Sequence, residues 1–153
     1  MEVRQLNCHK SASALVELVS NRAEVQIFLI QEPPRQVLTS NLRCIRSSPT
    51  ARAAILTGRS ISTRTIVTEN DLALAYLPDL DIYLASVYFH PVDPLKLSML
   101  TQIRSLSGPN AKIIVGADCN AFHTDWGSFL NYSNPRAYMW KGGAEISSAA
   151  NQQ

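Results

Sequence analysis

The stretch Lys112-Ile113-Ile114-Val115-Gly116-Ala117-Asp118-Cys119-Asn120 decides the fold. Its apolar run has the length and branched composition of a buried strand, so Asp118, Cys119 and Asn120 arrive at a strand's C-terminal end. Immediately upstream, Leu95, Met99, Leu100, Ile103 and Leu106 fall on one helical stripe. Asp93-Pro94 offers that helix a cap and a first-turn proline, and Gly108-Pro109 stops it. Further upstream, Ile82 to Phe89 is the longest strand candidate in the chain.

The N-terminal end repeats the same grammar. Val3-Arg4-Gln5-Leu6-Asn7 alternates apolar and polar side chains as a strand does, and Ala14, Leu15, Leu18 and Val19 then mark a helical face. Val25 to Ile30 is a nearly continuous apolar run, expected as a strand buried on both faces, and Pro33-Pro34 ends it. Glu32 is thereby placed just beyond a strand's C-terminal end. Between these βα pieces, Arg52-Ala53-Ala54-Ile55-Leu56, Arg64-Thr65-Ile66-Val67 and Leu72-Ala73-Leu74-Ala75-Tyr76 read as short antiparallel strands between turn signals. The chain therefore reads βα, mixed sheet, βα, with Asn7, Glu32, Tyr88, Asp118 and Asn120 at or near separate strand ends, where side chains commonly converge on a site.

Composition bounds the function classes. With 153 residues, 46% of them hydrophobic, and 14 Lys+Arg against 12 Asp+Glu, the chain is ordinary globular material of one-domain size. Disorder, collagen and coiled coil are excluded. No apolar run approaches the roughly 18 residues of a membrane helix, and Met1 to Gln5 does not read as a secretory signal. The expected location is nuclear or cytoplasmic, not secreted and not in a membrane. Cys8, Cys44 and Cys119 show no paired spacing and read as reduced structural thiols.

Charge is uneven along the chain. Between Glu32 and Glu69 there is no acid, while Arg35, Arg43, Arg46, Arg52, Arg59 and Arg64 all fall there. Two readings stay open on charge alone: a surface facing phosphates, or a solvated face whose arginines pair with acids such as Glu69, Asp71, Asp79 and Asp81. The strand-end residues also have two readings each. Two carboxylates brought together repel, and Mg2+ is the hard cation that relieves them through one or two carboxylate oxygens. Equally, Glu32 fits a surface turn, Asn7 a strand-end cap, Tyr88 a core ring with a wet hydroxyl, and Asp118-Cys119-Asn120 an ordinary turn. His9 and His90 belong to no constellation.

Five segments in order resemble one family. Gln5-Leu6-Asn7 is similar to an opening Leu-x-x-Asn strand, Leu29-Ile30-Gln31-Glu32-Pro33 to a Leu-x-Gln-Glu-Pro turn, Arg52-Ala53-Ala54-Ile55 to an Arg-Ala-Ala-Ile strand, and Ser86-Val87-Tyr88-Phe89 to a Val-Tyr strand. Gly116-Ala117-Asp118-Cys119-Asn120-Ala121, with His123 and Trp126-Gly127-Ser128, is similar to a Gly-Asp-x-Asn-Ala-His-x-x-Trp-Gly-Ser block, the most specific of the five. Together they resemble the endonuclease/exonuclease/phosphatase superfamily, and within it the apurinic-type endonuclease domain of LINE-like (non-LTR) retrotransposons.

The resemblance implies an α+β, DNase I-like sandwich of two sheets with helices outside. It implies a metal-dependent phosphodiester hydrolase that nicks target DNA for retrotransposition, with Mg2+ or Mn2+ as cofactor and DNA as partner. In that frame Glu32 binds the metal, Asp118 aligns and deprotonates the attacking water, and Asn120 and Asn7 help hold the metal site and scissile phosphate. Tyr88 would donate to a phosphate oxygen, and Arg52, Arg59 and Arg64 would contact nucleic-acid phosphates. The family's closing Ser-Asp-His strand has no counterpart, since Asp-His occurs nowhere in the chain. The expectation is therefore a partial domain over residues 1–133, incomplete at the C-terminus, with an irregular tail over 134–153. Such a domain is either an active nuclease, with a completing subunit or the reverse transcriptase portion of a parent polyprotein as partner, or a catalytically impaired remnant that at most binds nucleic acid.

Overall fold

The computed structural model describes residues 2–20, 27–37, 41–91 and 97–120. Among them the elements run β1 (Val3–Asn7), α1 (Ala12–Ser20), β2 (Ile27–Gln31), β3 (Leu42–Ile45), β4 (Ala53–Gly58), β5 (Arg64–Thr68), β6 (Leu72–Leu77), β7 (Ile82–Tyr88), α2 (Leu97–Ser107) and β8 (Lys112–Asp118). They form two four-stranded sheets, ordered β1-β2-β4-β3 and β5-β6-β7-β8. Both sheets are mixed. The β1–β2 and β7–β8 pairs are parallel, each spanning a helical crossover, and the remaining pairs are antiparallel. The expected α+β sandwich is the observed one.

The chain divides into two units, Met1–Tyr88 with Leu97–Asp118, and Phe89–Lys96 with Cys119–Gln153. All ten elements belong to the first. In the second, the Asn120 side-chain amide donates to the Phe89 carbonyl at 2.9 Å. The expected boundary after residue 133, the tail 134–153, His123 and Trp126-Gly127-Ser128 lie outside the described residues. Among the described residues no helix is long and apolar enough to cross a membrane.

Period-two alternation explains how β2 can be buried throughout. Ile27 and Leu29 join Ile45, Ile55, Ala73, Ala75, Leu77 and Leu84 in the core between the sheets. Phe28 and Ile30 point the other way and meet Leu15 of α1, with Cys8, Ala54 and Leu56. Both faces of the strand are thus apolar because both are covered. β3 was not legible as a strand, since Leu42-Arg43-Cys44-Ile45 is short and carries a charge. β8 corrects the expectation of a buried strand: it ends its sheet among the described residues, and Val115 is 42% exposed.

A buried polar network joins the sheets. The Gln31 amide, wholly buried, donates to Ser86 Oγ and to the Gly116 carbonyl, both at 3.0 Å. Ser86 Oγ in turn donates to the Ile30 carbonyl at 2.8 Å. Gln5 donates to Gln31 Oε1 at 3.1 Å and to the Ala117 carbonyl at 2.9 Å. For these bonds to form, β8 must approach β2 closely. A Cβ on Gly116 would lie 2.8 Å from Leu29 Cβ and 2.9 Å from Leu29 Cδ1, so only glycine fits.

Two substitutions in this interface should act in opposite directions. Gly116→Ala should lower stability by about 1–3 kcal/mol through overpacking, read as a lower urea midpoint. Thr57, also wholly buried, has a hydroxyl oxygen with no hydrogen-bond partner among the described residues. Thr57→Val should therefore raise stability by about 1 kcal/mol, and a drop would show that the hydroxyl is satisfied.

Candidate functional site

Four strand ends from two sheets deliver the side chains. β1 and β2 run parallel with Asn7 opposite Gln31, so Glu32 follows one residue beyond the pair. β7 and β8 run parallel with Tyr88 opposite Asp118. Across the sheets, the Asn7 amide donates to Asp118 Oδ2 at 2.5 Å, and Asn7 Oδ1 accepts the His9 backbone N–H at 2.9 Å. The Tyr88 hydroxyl donates to Glu32 Oε1 at 3.2 Å, while His9 Nδ1 lies 3.2 Å from Glu32 Oε2. Asn7, Glu32, Tyr88 and Asp118 thus come together in two hydrogen-bonded pairs. Asn120 belongs to the second unit.

The backbone holds Glu32 in a conformation that a non-glycine residue seldom adopts. Its φ is +46°, and His9 and Lys10 also take positive values of +46° and +61°. Such residues persist where their surroundings over-determine them, commonly at functional sites. Here the Glu32 N–H donates to the Arg52 carbonyl at 2.7 Å, and the Lys10 N–H donates to the Glu32 carbonyl at 2.8 Å. The loop after β1 and the start of β4 therefore clamp the turn from both sides. Arg46 braces the turn beyond it, donating to the carbonyls of Pro34 at 3.0 Å and Arg35 at 2.8 Å.

The three arginines expected on phosphates fall at two places. Arg52 lies beside the site, where Nε and Nη2 pair with Asp71 Oδ1 at 2.6 Å and Oδ2 at 2.8 Å. Its guanidinium also sits 5.4 Å from the Tyr88 ring centroid. Arg59 directly follows the opposite end of β4, on the order of 20 Å away along an extended strand, and Arg64 opens β5 opposite Tyr76. Both are exposed, and the Arg64 guanidinium stacks 5.2 Å from the Tyr76 ring centroid. The pairing with Asp71 is the one the solvated-face reading foresaw. Sequence reasoning did not place His9 at the site. Its signal was only its position two residues after Asn7, which is no pattern without the turn geometry.

The donor set suits a hard cation. Glu32 and Asp118 offer carboxylate oxygens, and the Glu32 side chain is 18% exposed, so its oxygens are reachable from solvent. Among the described residues there is no group of three or more His, Cys, Asp or Glu able to hold a metal ion. That excludes a zinc-type cage there, but not Mg2+, which commonly takes one or two carboxylates and completes its shell with water and substrate oxygens.

No protein-family model and no curated protein matches the sequence. Among solved structures, the chain is similar to the endonuclease domain of TRAS1, a telomere-specific non-LTR retrotransposon, with a TM-score of 0.74 and 26% identity. The match covers 90% of this chain and 66% of that one, so the chain spans just under two thirds of its neighbour's length. The fold is that of a retrotransposon endonuclease domain. The likeness bears out the resemblance read from the motifs.

Cys8, between Asn7 and His9, is not a reactive thiol. Burial pushes its pKa up to about 11, and Cys44 is also raised, chiefly by burial and against the opposing charge of Arg46. A raised folded pKa favours the neutral thiol, so this contribution is complete below the unfolded pKa and is lost as pH rises through the folded one. Unfolding stability should therefore decline between about pH 9 and pH 11, and Cys8→Ala should flatten that decline in urea titrations across the range. An equal slope in the variant would remove Cys8 from the account.

Proposed function

We propose that the chain is a divalent-metal-dependent phosphodiester hydrolase whose substrate is DNA, nicked as the target of retrotransposition. The observation that carries the reading is the paired geometry of Asn7 with Asp118 and Tyr88 with Glu32, at strand ends of a fold shared with a retrotransposon endonuclease domain. Bound at Glu32, Mg2+ or Mn2+ would supply charge to offset the electrons gathering on the non-bridging phosphate oxygens. Asp118 takes the proton of the attacking water, whose oxygen forms the new bond to phosphorus as the bond to the leaving sugar oxygen breaks. Asn7, by donating to one Asp118 oxygen, fixes the carboxylate so that the other faces the water. Tyr88 gives its single hydroxyl proton to Glu32 Oε1 and so orients that carboxylate beside the phosphate.

Arg59 and Arg64 would contact phosphates remote from the cleaved bond, which the distance along β4 supports. Arg52 is engaged by Asp71, so its role in this reading differs. Binding of DNA without hydrolysis is the second reading, which the exposed Arg59 and Arg64 would serve equally well.

The test is nicking of supercoiled plasmid by the purified chain, with Mg2+ or with chelator. Metal-dependent nicking should fall by a factor of about 10² or more in Glu32→Gln and in Asp118→Asn, each keeping its cooperative melt. A folded wild-type chain that retards the plasmid and never nicks it would leave only the binding reading.

A further inference from the structure

Arg52 and Asp71 lie where the ends of β2, β4, β6 and β7 meet, and each holds the backbone of one residue of the site. The Arg52 carbonyl accepts the Glu32 N–H at 2.7 Å, and the Asp71 carbonyl accepts the Tyr88 N–H at 2.9 Å. The Arg52 N–H donates to the carbonyl of Asn70, next to Asp71, at 2.6 Å. Between side chains, the fork of Arg52 closes on both Asp71 oxygens, at 2.6 and 2.8 Å, with side-chain exposures of 25% and 11%. The same guanidinium covers the Tyr88 ring, and the Tyr88 hydroxyl donates to Glu32. An unbroken series runs from Asp71 through Arg52 and Tyr88 to the Glu32 carboxylate.

We propose that Arg52 and Asp71 are a positioning pair for the site: Asp71 fixes the plane of the Arg52 guanidinium, which fixes the Tyr88 ring, whose hydroxyl holds the Glu32 carboxylate in its metal-facing rotamer. The chemistry requires arginine. A bidentate carboxylate bond defines the guanidinium plane, and that plane stacks on an aromatic face, whereas a lysine ammonium does neither. Burial also matters, because a half-buried pair is held more firmly than an exposed one that water and salt loosen. The role is indirect, so neither residue touches substrate. The inference rests on the hydrolase reading for its kinetic arm and on Glu32 as the cation site for its binding arm.

The experiment is a double-mutant cycle on the full 153-residue chain, read in two ways. One is Mn2+ affinity by water-proton relaxation, and the other is the kcat and KM of plasmid nicking. Arg52→Lys and Asp71→Asn should each weaken Mn2+ binding about ten-fold, the loss usual for residues that orient a metal ligand. Each should lower kcat by about the same factor with KM within about two-fold of wild type. In a Tyr88→Phe background neither should cause a further loss beyond about two-fold, because the link to Glu32 is already cut. A loss of the same size in both backgrounds would make the pair mere scaffold and overturn the proposal. So would wild-type Mn2+ affinity in Arg52→Lys when Glu32→Gln has lost it. Undiminished Mn2+ binding in Glu32→Gln would instead sink the metal-site reading, and this proposal with it. A chain that follows the Mn2+ cycle yet never nicks would refute the hydrolase reading alone and support the positioning pair.

Discussion

The Gln31 side chain is the constraint on which the rest of the architecture depends. An amide buried between two apolar sheets is costly unless each of its polar groups is matched, and here both donors and the acceptor have partners on three other strands. Hydrophobic packing alone would let the sheets slide, because contacts such as Ile27, Leu84 and Ala75 are non-directional. The network forbids sliding. It ties one residue of β2 to Ser86 of β7 and Gly116 of β8, and it works only if β8 carries no side chain at the crossing. Gly116 is therefore required by what lies opposite it, not by a turn.

Fixing that register fixes the site. Glu32 is the next residue after Gln31, Tyr88 lies two beyond Ser86, and Asp118 lies two beyond Gly116, so the locked crossing sets where all three leave their strands. The positive φ at Glu32 turns its carboxylate back toward the Tyr88 hydroxyl instead of letting the chain run on as a strand. Pro33 and Pro34 help, since neither can donate to a continuing ladder. The local strain is sustained by backbone bonds on both flanks, from Lys10 and to Arg52, which is how a rigid scaffold keeps an unfavourable turn in place.

Much of this was legible in the sequence because it depends on short-range pattern. The two βα pieces, the antiparallel middle and the strand-end positions of Glu32 and Asp118 all follow from periodicity and punctuation. β3 was not legible, since four residues with an arginine among them carry too little pattern, and its pairing with β4 decides its conformation. The exposure of β8 was misjudged for a related reason. An apolar, branched run reports that a strand is stable in extended form, but not whether a further strand covers it. The pairings of Arg52 with Asp71 and His9 with Glu32 join residues far apart in sequence, so no local signal encodes them.

The acid-free stretch from Arg35 to Arg64 shows why sequence charge is a poor guide to surface charge. Arg46 spends its donors on the carbonyls of the turn beyond Glu32, and Arg52 spends its fork on Asp71. At the site end of β4 the arginines are thus structural groups whose charge is satisfied within the fold. Arg59 stands at the far end, on the order of 20 Å along the strand, a length that spans about six base pairs of a duplex. On the proposed reading, a duplex held there would be gripped several base pairs from the bond that is cut. Grip and chemistry would then be separable, because at the site end of β4 the Arg52 fork is held by Asp71.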